Sequence, residues 1–276
     1  PHYQSIERFL QSSGAQFDLV IVSRPDSAEN CLDMARLYCP KALILYDTVD
    51  LHFLRREREI ALTGSSTTAP SISEKELRAC SRADAAITVS DYDRSRLLEK
   101  IPGATVHVVS LIDEVRHLSQ SFDERDGLLF IGGFRHPPNV DAVVWFLDEV
   151  FPILSDWIPG IRFHIVGPDP PEEIRNRASE TVVVEGYLES IEAQYANRRV
   201  SVAPIRYGSG VKGKINQAMA YGLPCVATPE AVEGMDLDLQ EEILVAASAQ
   251  DFAESVAELY ESETLWLDLS RKSTRS

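Results

Sequence analysis

The chain has 276 residues, 44% hydrophobic and 25% charged, with 27 Lys and Arg against 43 Asp and Glu, a formal net charge of −16. That apolar content supports packed cores and the length allows two domains, while the acidic surplus excludes broad binding to nucleic acid or anionic lipid, which needs a dense cationic footprint. Four cysteines without C-x-x-C spacing are too sparse for a disulfide scaffold and point to a reducing cytoplasm, and no apolar run reaches the ~20 residues of a membrane span.

The sequence starts at Pro1 rather than Met and enters a helical pattern at once, which reads as a fragment of a longer protein. Short β-rich runs then alternate with helical patterns, the signature of βα units on parallel sheets. In the first half the strand runs are Phe17 to Val22, Ala42 to Tyr46, Ala85 to Val89 and Thr105 to Val109, with helices around 28–38, 51–61, 74–82 and 92–100. Their continuous apolar character suits strands covered on both faces. Thr63 to Ser71 is small and polar and reads as a mobile loop, and Leu118 to Asp126 as an interdomain linker. The domain division is therefore 1–120 and 121–276.

In the second half the strand runs are Gly127 to Ile131, Ile161 to Val166, Thr181 to Val184, Val200 to Ile205, Pro224 to Thr228 and Glu242 to Ala246. A helix capped by Asn139 carries Val140, Val143, Val144, Leu147 and Phe151 at helical spacing and is expected to end at Pro152. Another spans 250–259. Trp145 and Trp157 read as packing residues, and His107 and His164, inside strands, as structural.

Charge is uneven along the chain. Residues 1–120 carry −3 and residues 121–276 carry −13, yet Ala193 to Pro229 holds no acidic residue and includes Arg198, Arg199, Arg206, Lys212 and Lys214, a local +5. Either this is a solvated surface or it is a pocket for a multiply charged anion. The glycine-rich stretch RYGSGVKGK lies inside it, between a strand run and the helical run INQAMAYG, where helix-end amides favour anions.

Three motifs compete for that stretch. Gly208, Gly210 and Gly213 spell the dinucleotide fingerprint G-x-G-x-x-G, but deep in the second half rather than at a first βαβ unit. Gly208, Gly213 and Lys214 match G-x-x-x-x-G-K of nucleotide hydrolases, but Ile215 replaces the Ser or Thr that would hold magnesium. In the third reading, the loop and its lysines cradle a diphosphate that departs as a leaving group.

The block Ala203 to Thr228 resembles the donor-site signature of retaining glycosyltransferases of family four, which have the GT-B fold, and so do Phe130 to Leu147, Phe163 to Pro170 and Val182 to Ile205. Tyr46 to Glu59 and Ala83 to Leu98 resemble the latter part of that family's acceptor domain, whose opening strands are absent. The resemblance implies two Rossmann-like parallel-sheet domains, the N-terminal one incomplete, and transfer of a sugar from a nucleoside diphosphate to a saccharide or lipid-linked acceptor, retaining and without a metal or other cofactor. It leaves room for peripheral membrane association of the parent protein.

By position, the resemblance puts Gly132 and Gly133 at the pyrophosphate, Gly186 and Tyr187 near the base, and Gly208, Ser209, Gly210 and Val211 as backbone donors to phosphate. Lys212 and Lys214 would neutralise the phosphates, with Arg135 adding charge. The family's two glutamates eight positions apart are here Ser209 and Gln217, the latter still able to reach ribose hydroxyls. On the acceptor side His52 falls where relatives carry a histidine reaching the sugar, with Asp50 orienting the acceptor or capping a helix; a histidine simply bonded to a neighbour fits His52 equally well. The loss of both glutamates also fits a non-catalytic sugar-nucleotide-binding module of a polysaccharide-assembly protein, and the glycine fingerprint leaves a nicotinamide oxidoreductase as a third reading.

Overall fold

The computed structural model describes residues 5–64, 72–116 and 120–273. The chain divides into two compact units, Pro1–Ser110 with Gly208–Val211, and Leu111–Tyr207 with Lys212–Ser276. No helix among the described residues is long and apolar enough to cross a membrane.

The first unit opens with α1 (Ile6–Ser13) and continues through β1 (Leu19–Ser23), α2 (Pro25–Tyr38), β2 (Leu43–Asp47), α3 (His52–Thr63), α4 (Ile72–Arg82), β3 (Ala85–Thr88), α5 (Asp91–Lys100) and β4 (Val106–Val108). Its strands pair in parallel in the order β1-β2-β3-β4. Strand parity decides its core: Val22, Ile44, Tyr46 and Ala86 point to the face that also buries Ala28, Leu32, Ala35, Phe53, Leu54, Ala79 and Leu97. Leu19, Ile21 and Leu43, of opposite parity, are exposed. The runs read as covered on both faces are thus covered on one face at β1 and β2. Thr63 closes α3 and Gly64 caps it at φ 68; the rest of the expected loop, 65–71, lies outside the described residues.

The second unit contains β5 (Leu128–Ile131), α6 (Pro137–Trp145), α7 (Phe151–Trp157), β6 (Phe163–Val166), α8 (Glu172–Arg175), β7 (Val182–Gly186), α9 (Glu192–Asn197) and β8 (Val200–Ala203). It continues with α10 (Gly213–Ala220), β9 (Cys225–Ala227), α11 (Pro229–Val232), β10 (Leu244–Val245), α12 (Ala249–Glu261) and α13 (Glu263–Ser273). The six strands are parallel in the order β10-β9-β8-β5-β6-β7. Read from the other edge this is the 3-2-1-4-5-6 order of dinucleotide-type sheets, which reverses direction between β5 and β8. The sheet is buried throughout at β6 and β8. Phe146 packs against Phe163 with ring centroids 4.6 Å apart and edge-on to Phe252 at 6.0 Å, each ring contributing about 2–3 kcal/mol by burial.

Several local readings change. The helix expected to start at Asn139 and stop at Pro152 starts at Pro137, with His136 as N-cap, and runs on to Trp157. A π-helical turn over Phe146–Val150 resets the hydrogen bonding, so Pro152 falls in the first turn of α7, where a missing N–H costs nothing. Of the linker expected at Leu118 to Asp126, Leu118 and Ser119 lie outside the described residues, and the remainder is anchored rather than free. Phe122 is buried against Trp266, and the buried Arg125 donates to the carbonyls of Tyr195 and Arg198. Burial also pulls the Arg125 guanidinium down to about 10. Trp145 packs edge-on to Phe252 as expected, whereas Trp157 is 45% exposed.

Candidate functional site

Parallel sheets bind ligands outside the carboxyl ends of their strands at the point where strand order reverses, which in the second unit is the end of β5 beside β8. The loops after β5, β6 and β7 are stitched together there: Gly132 N–H donates to the Val166 carbonyl at 2.9 Å, Phe134 N–H to Pro168 at 3.1 Å, and Gly167 N–H to Gly186 at 2.8 Å. Of the glycines here, Gly167 is set against backbone and Gly132 against two side-chain ends. A Cβ on Gly167, at φ 151, would lie 2.0 Å from the Gly132 carbonyl oxygen, and a Cβ on Gly132 would lie 2.8 Å from Asn139 Nδ2 and 3.0 Å from Lys214 Nζ.

Asn139 ties this turn to α10. Its Nδ2 donates to the Gly133 carbonyl at 2.8 Å, and its Oδ1 accepts from Lys214 Nζ at 2.6 Å. The Lys214 ammonium also lies 4.1 Å from the centroid of the Phe130 ring. Burial, reinforced by the neighbouring Lys212, pulls that ammonium down to about 7, because a charged form without a compensating anion is costly in an apolar setting.

The two helix starts at this point differ in the backbone donors they offer. Pro137 and Pro138 leave the first turn of α6 without two N–H groups, and the Asn139 N–H is already bonded to His136. In α10, by contrast, Lys212 is the N-cap, and among the described residues no hydrogen bond engages the N–H of Gly213 or Lys214. The anion-attracting end at this point is therefore that of α10.

The basic island of the sequence does not form one cluster. Arg206 is bidentate to Asp141. Arg198 donates to Asp126 and to His164 Nε2, whose other nitrogen faces Glu185 at 2.7 Å. Arg199 donates to the Arg125 and Tyr260 carbonyls and lies over the Phe122 and Tyr260 rings. These three arginines serve the fold; Lys212 and Lys214 stand at the start of α10, after β8. Arg135 is exposed and pairs with Asp169 at 2.7 Å. Gly186, at φ 68, ends β7 and Tyr187 follows it, 72% exposed. Gln217 accepts from the Tyr195 hydroxyl at 3.2 Å, and Tyr195 stacks on Tyr221 at 4.6 Å.

The glycine stretch itself is divided. Gly208–Val211 group with the first unit. There Ser209 Oγ donates to Asp50 Oδ2 at 3.2 Å, Arg58 Nη1 donates to the Gly208 carbonyl at 2.7 Å, and a Cβ on Gly210 would meet that of Asp50 at 3.0 Å. G-x-G-x-x-G thus follows β8, the fourth strand of its sheet in chain order, and its last glycine opens α10.

His52 begins α3 and is buried. Its Nδ1 lies 3.1 Å from the Asp50 carbonyl and 3.3 Å from Glu76 Oε1. Glu76 was not recognisable as a site residue in the sequence. It is fully buried, and its carboxylate accepts the backbone N–H groups of His52 at 3.0 Å and Phe53 at 2.8 Å, so it caps α3 from α4. Asp50 pairs with Arg55. Asn139, read as a cap, and Gly167, not singled out, also belong to the cluster at the end of β5; only the G-P step after a strand run hinted at Gly167.

Two parallel-sheet α/β units, one with dinucleotide-type strand order, are the architecture of GT-B glycosyltransferases. Residues 125–262, half of the chain, match the family described as glycosyl transferases group 1, and the chain belongs to that family. It is similar to the crystal structure of TarM, the S. aureus protein, at 16% identity and a TM-score of 0.79, covering 98% of this chain and 53% of that one. It is also similar to Anabaena Alr3699/HepE in complex with UDP-glucose, at 13% identity and a TM-score of 0.74, covering 97% and 75%. An uncharacterized 44.6 kDa protein in the cps region of Klebsiella pneumoniae is 25% identical over 138 residues, 47% of this chain and 36% of that protein. The chain thus spans about half the length of TarM and about a third of the Klebsiella relative.

Proposed function

We propose that the protein carries out sugar transfer from a nucleoside-diphosphate sugar to a saccharide or lipid-linked acceptor, with residues 121–276 holding the donor and residues 1–120 serving the acceptor. The observation that carries this reading is the Lys214–Asn139 contact over Gly132, at the point where strand order reverses and where, among the described residues, no hydrogen bond engages the first two amides of α10. TarM and HepE have been solved with UDP or UDP-glucose, which supports a nucleotide-sugar donor here.

In this reading Lys214, Lys212 and the Gly213 and Lys214 amides bind the diphosphate and stabilise the charge that develops on it as the glycosidic bond breaks. Lysines so placed can serve without a metal, and we extend the proposal to retention and a cytoplasmic reaction. Gly186, Tyr187 and Gln217 are the proposed nucleoside contacts, Tyr187 offering an exposed ring for a base. On the acceptor side we propose His52, its Nδ1 oriented by Glu76 and the Asp50 carbonyl.

Thermal shift with UDP-, GDP-, ADP- and dTDP-sugars, followed by transfer to saccharide acceptors, tests the reading. At ~100 Kd the matching donor adds about 2.7 kcal/mol of stability. Binding without turnover in the intact parent protein would favour a non-catalytic module, and no binding by any nucleotide sugar would defeat the proposal.

A further inference from the structure

We propose that Asn139 is a positioning residue: it holds the Lys214 amine, which among the described residues pairs with no carboxylate, beside the turn after β5, so that the donor's diphosphate is taken up together with a proton on that amine. The inference rests on the diphosphate reading above.

Asn139 reaches both partners at once, the Gly133 carbonyl through Nδ2 and Lys214 Nζ through Oδ1. The Phe130 ring lies on β5, and Gly132 leaves no room beyond the amine, since even a methyl group there would touch Nζ. The titratable groups facing Lys214 are Lys212, ahead of α10, and the buried Cys225 thiol of β9, itself pushed up to about 12 by burial. Among the described residues no carboxylate pairs with Lys214, and the side chains that meet it, the Asn139 amide and the Phe130 ring, are neutral. The contrast with Arg206, eight positions earlier and held by Asp141, is direct. An amine so placed has a hydrogen-bond acceptor that fixes its position but no counter-charge that secures its proton. The arriving diphosphate supplies the counter-charge, and the N–H bond formed on Nζ takes its proton from buffer; no other bond changes. The ammonium's value of about 7 agrees with this.

Isothermal titration of the chain with UDP-, GDP-, ADP- and dTDP-glucose between pH 6.5 and 8.5, in two buffers of different ionisation heat, tests it. A sugar diester is the proper probe, because a free terminal phosphate itself titrates near pH ~6. The expected result is that one donor binds, with affinity falling about fivefold from pH 7 to 8 and uptake of nearly one proton at pH 8. Asn139→Asp supplies a fixed counter-charge and should abolish the uptake while weakening binding at least about tenfold, a pH signature that loosened packing alone would not give. Lys214→Met should abolish both binding and uptake. Donor binding without proton uptake, or Asn139→Asp behaving as the wild type, overturns this inference and leaves the diphosphate reading standing; no binding at any pH overturns both.

Discussion

Replacing Lys214 by Met keeps the reach of the side chain and removes its charge, which separates the cost of the site from its use. The amine falls from an ordinary 10.5 to about 7 in the folded chain. Between those values the unfolded chain binds a proton that the folded chain does not, so stability rises with pH through that window by up to about 1.4 kcal/mol per unit. The penalty is complete below pH 7, with an upper limit of about 5 kcal/mol. Met removes it but leaves Asn139 Oδ1 without its donor, a loss of about 1–3 kcal/mol. Lys214→Met should therefore stabilise the protein by up to about 2 kcal/mol at pH 6.5, and this gain should shrink with rising pH, by at most about 2 kcal/mol between pH 7 and 8.5. Urea unfolding followed by tryptophan fluorescence is the appropriate assay, because Trp145, Trp157 and Trp266 all lie in the second unit. A difference between variant and wild type that stays constant from pH 6.5 to 8.5 would refute the reasoning, as would a variant less stable at every pH.

Other outcomes follow from single contacts. Gly132→Ala pushes Asn139 and Lys214 apart and should weaken nucleotide-sugar binding about tenfold by calorimetry, a loss of about 1.4 kcal/mol, with little change in far-UV circular dichroism. Gly167→Ala demands a shift of more than an ångström against the Gly132 carbonyl at a backbone angle reserved for glycine. It should cost about 3 kcal/mol or more in denaturant unfolding. Glu76→Ala strips the buried cap from the His52 and Phe53 amides and should destabilise the first unit by about 3 kcal/mol, seen as earlier exchange of the α3 amides.

Strands were the most legible part of the sequence. Runs such as VSVA, and FHIV apart from His164, are apolar or small, and they form the β8 and β6 strands buried on both faces. Helix limits were less so: Pro152 looked like a stop, and only the π-helical turn over Phe146–Val150 just before it, which no residue type announces, carries the helix past it. The basic island was legible as composition but misleading as geometry, since Asp141, Arg125 and Tyr260, far away in sequence, claim Arg206 and Arg199. Asn139 was visible but read as a cap, because asparagine before a helical run is a common signal for one; its bond to a lysine 75 residues later depends on the packing of two helices that the sequence keeps far apart. Glu76 was illegible for the same reason, being brought to His52 by the packing of α4 on α3.

The most direct test is a crystal structure of the protein with the nucleoside-diphosphate sugar that binds it. The diphosphate should lie at the carboxyl ends of β5 and β8, with one oxygen about 3 Å from Lys214 Nζ and another facing the Gly213 amide. A diphosphate bound elsewhere, with Lys214 still held only by Asn139, would contradict the assignment.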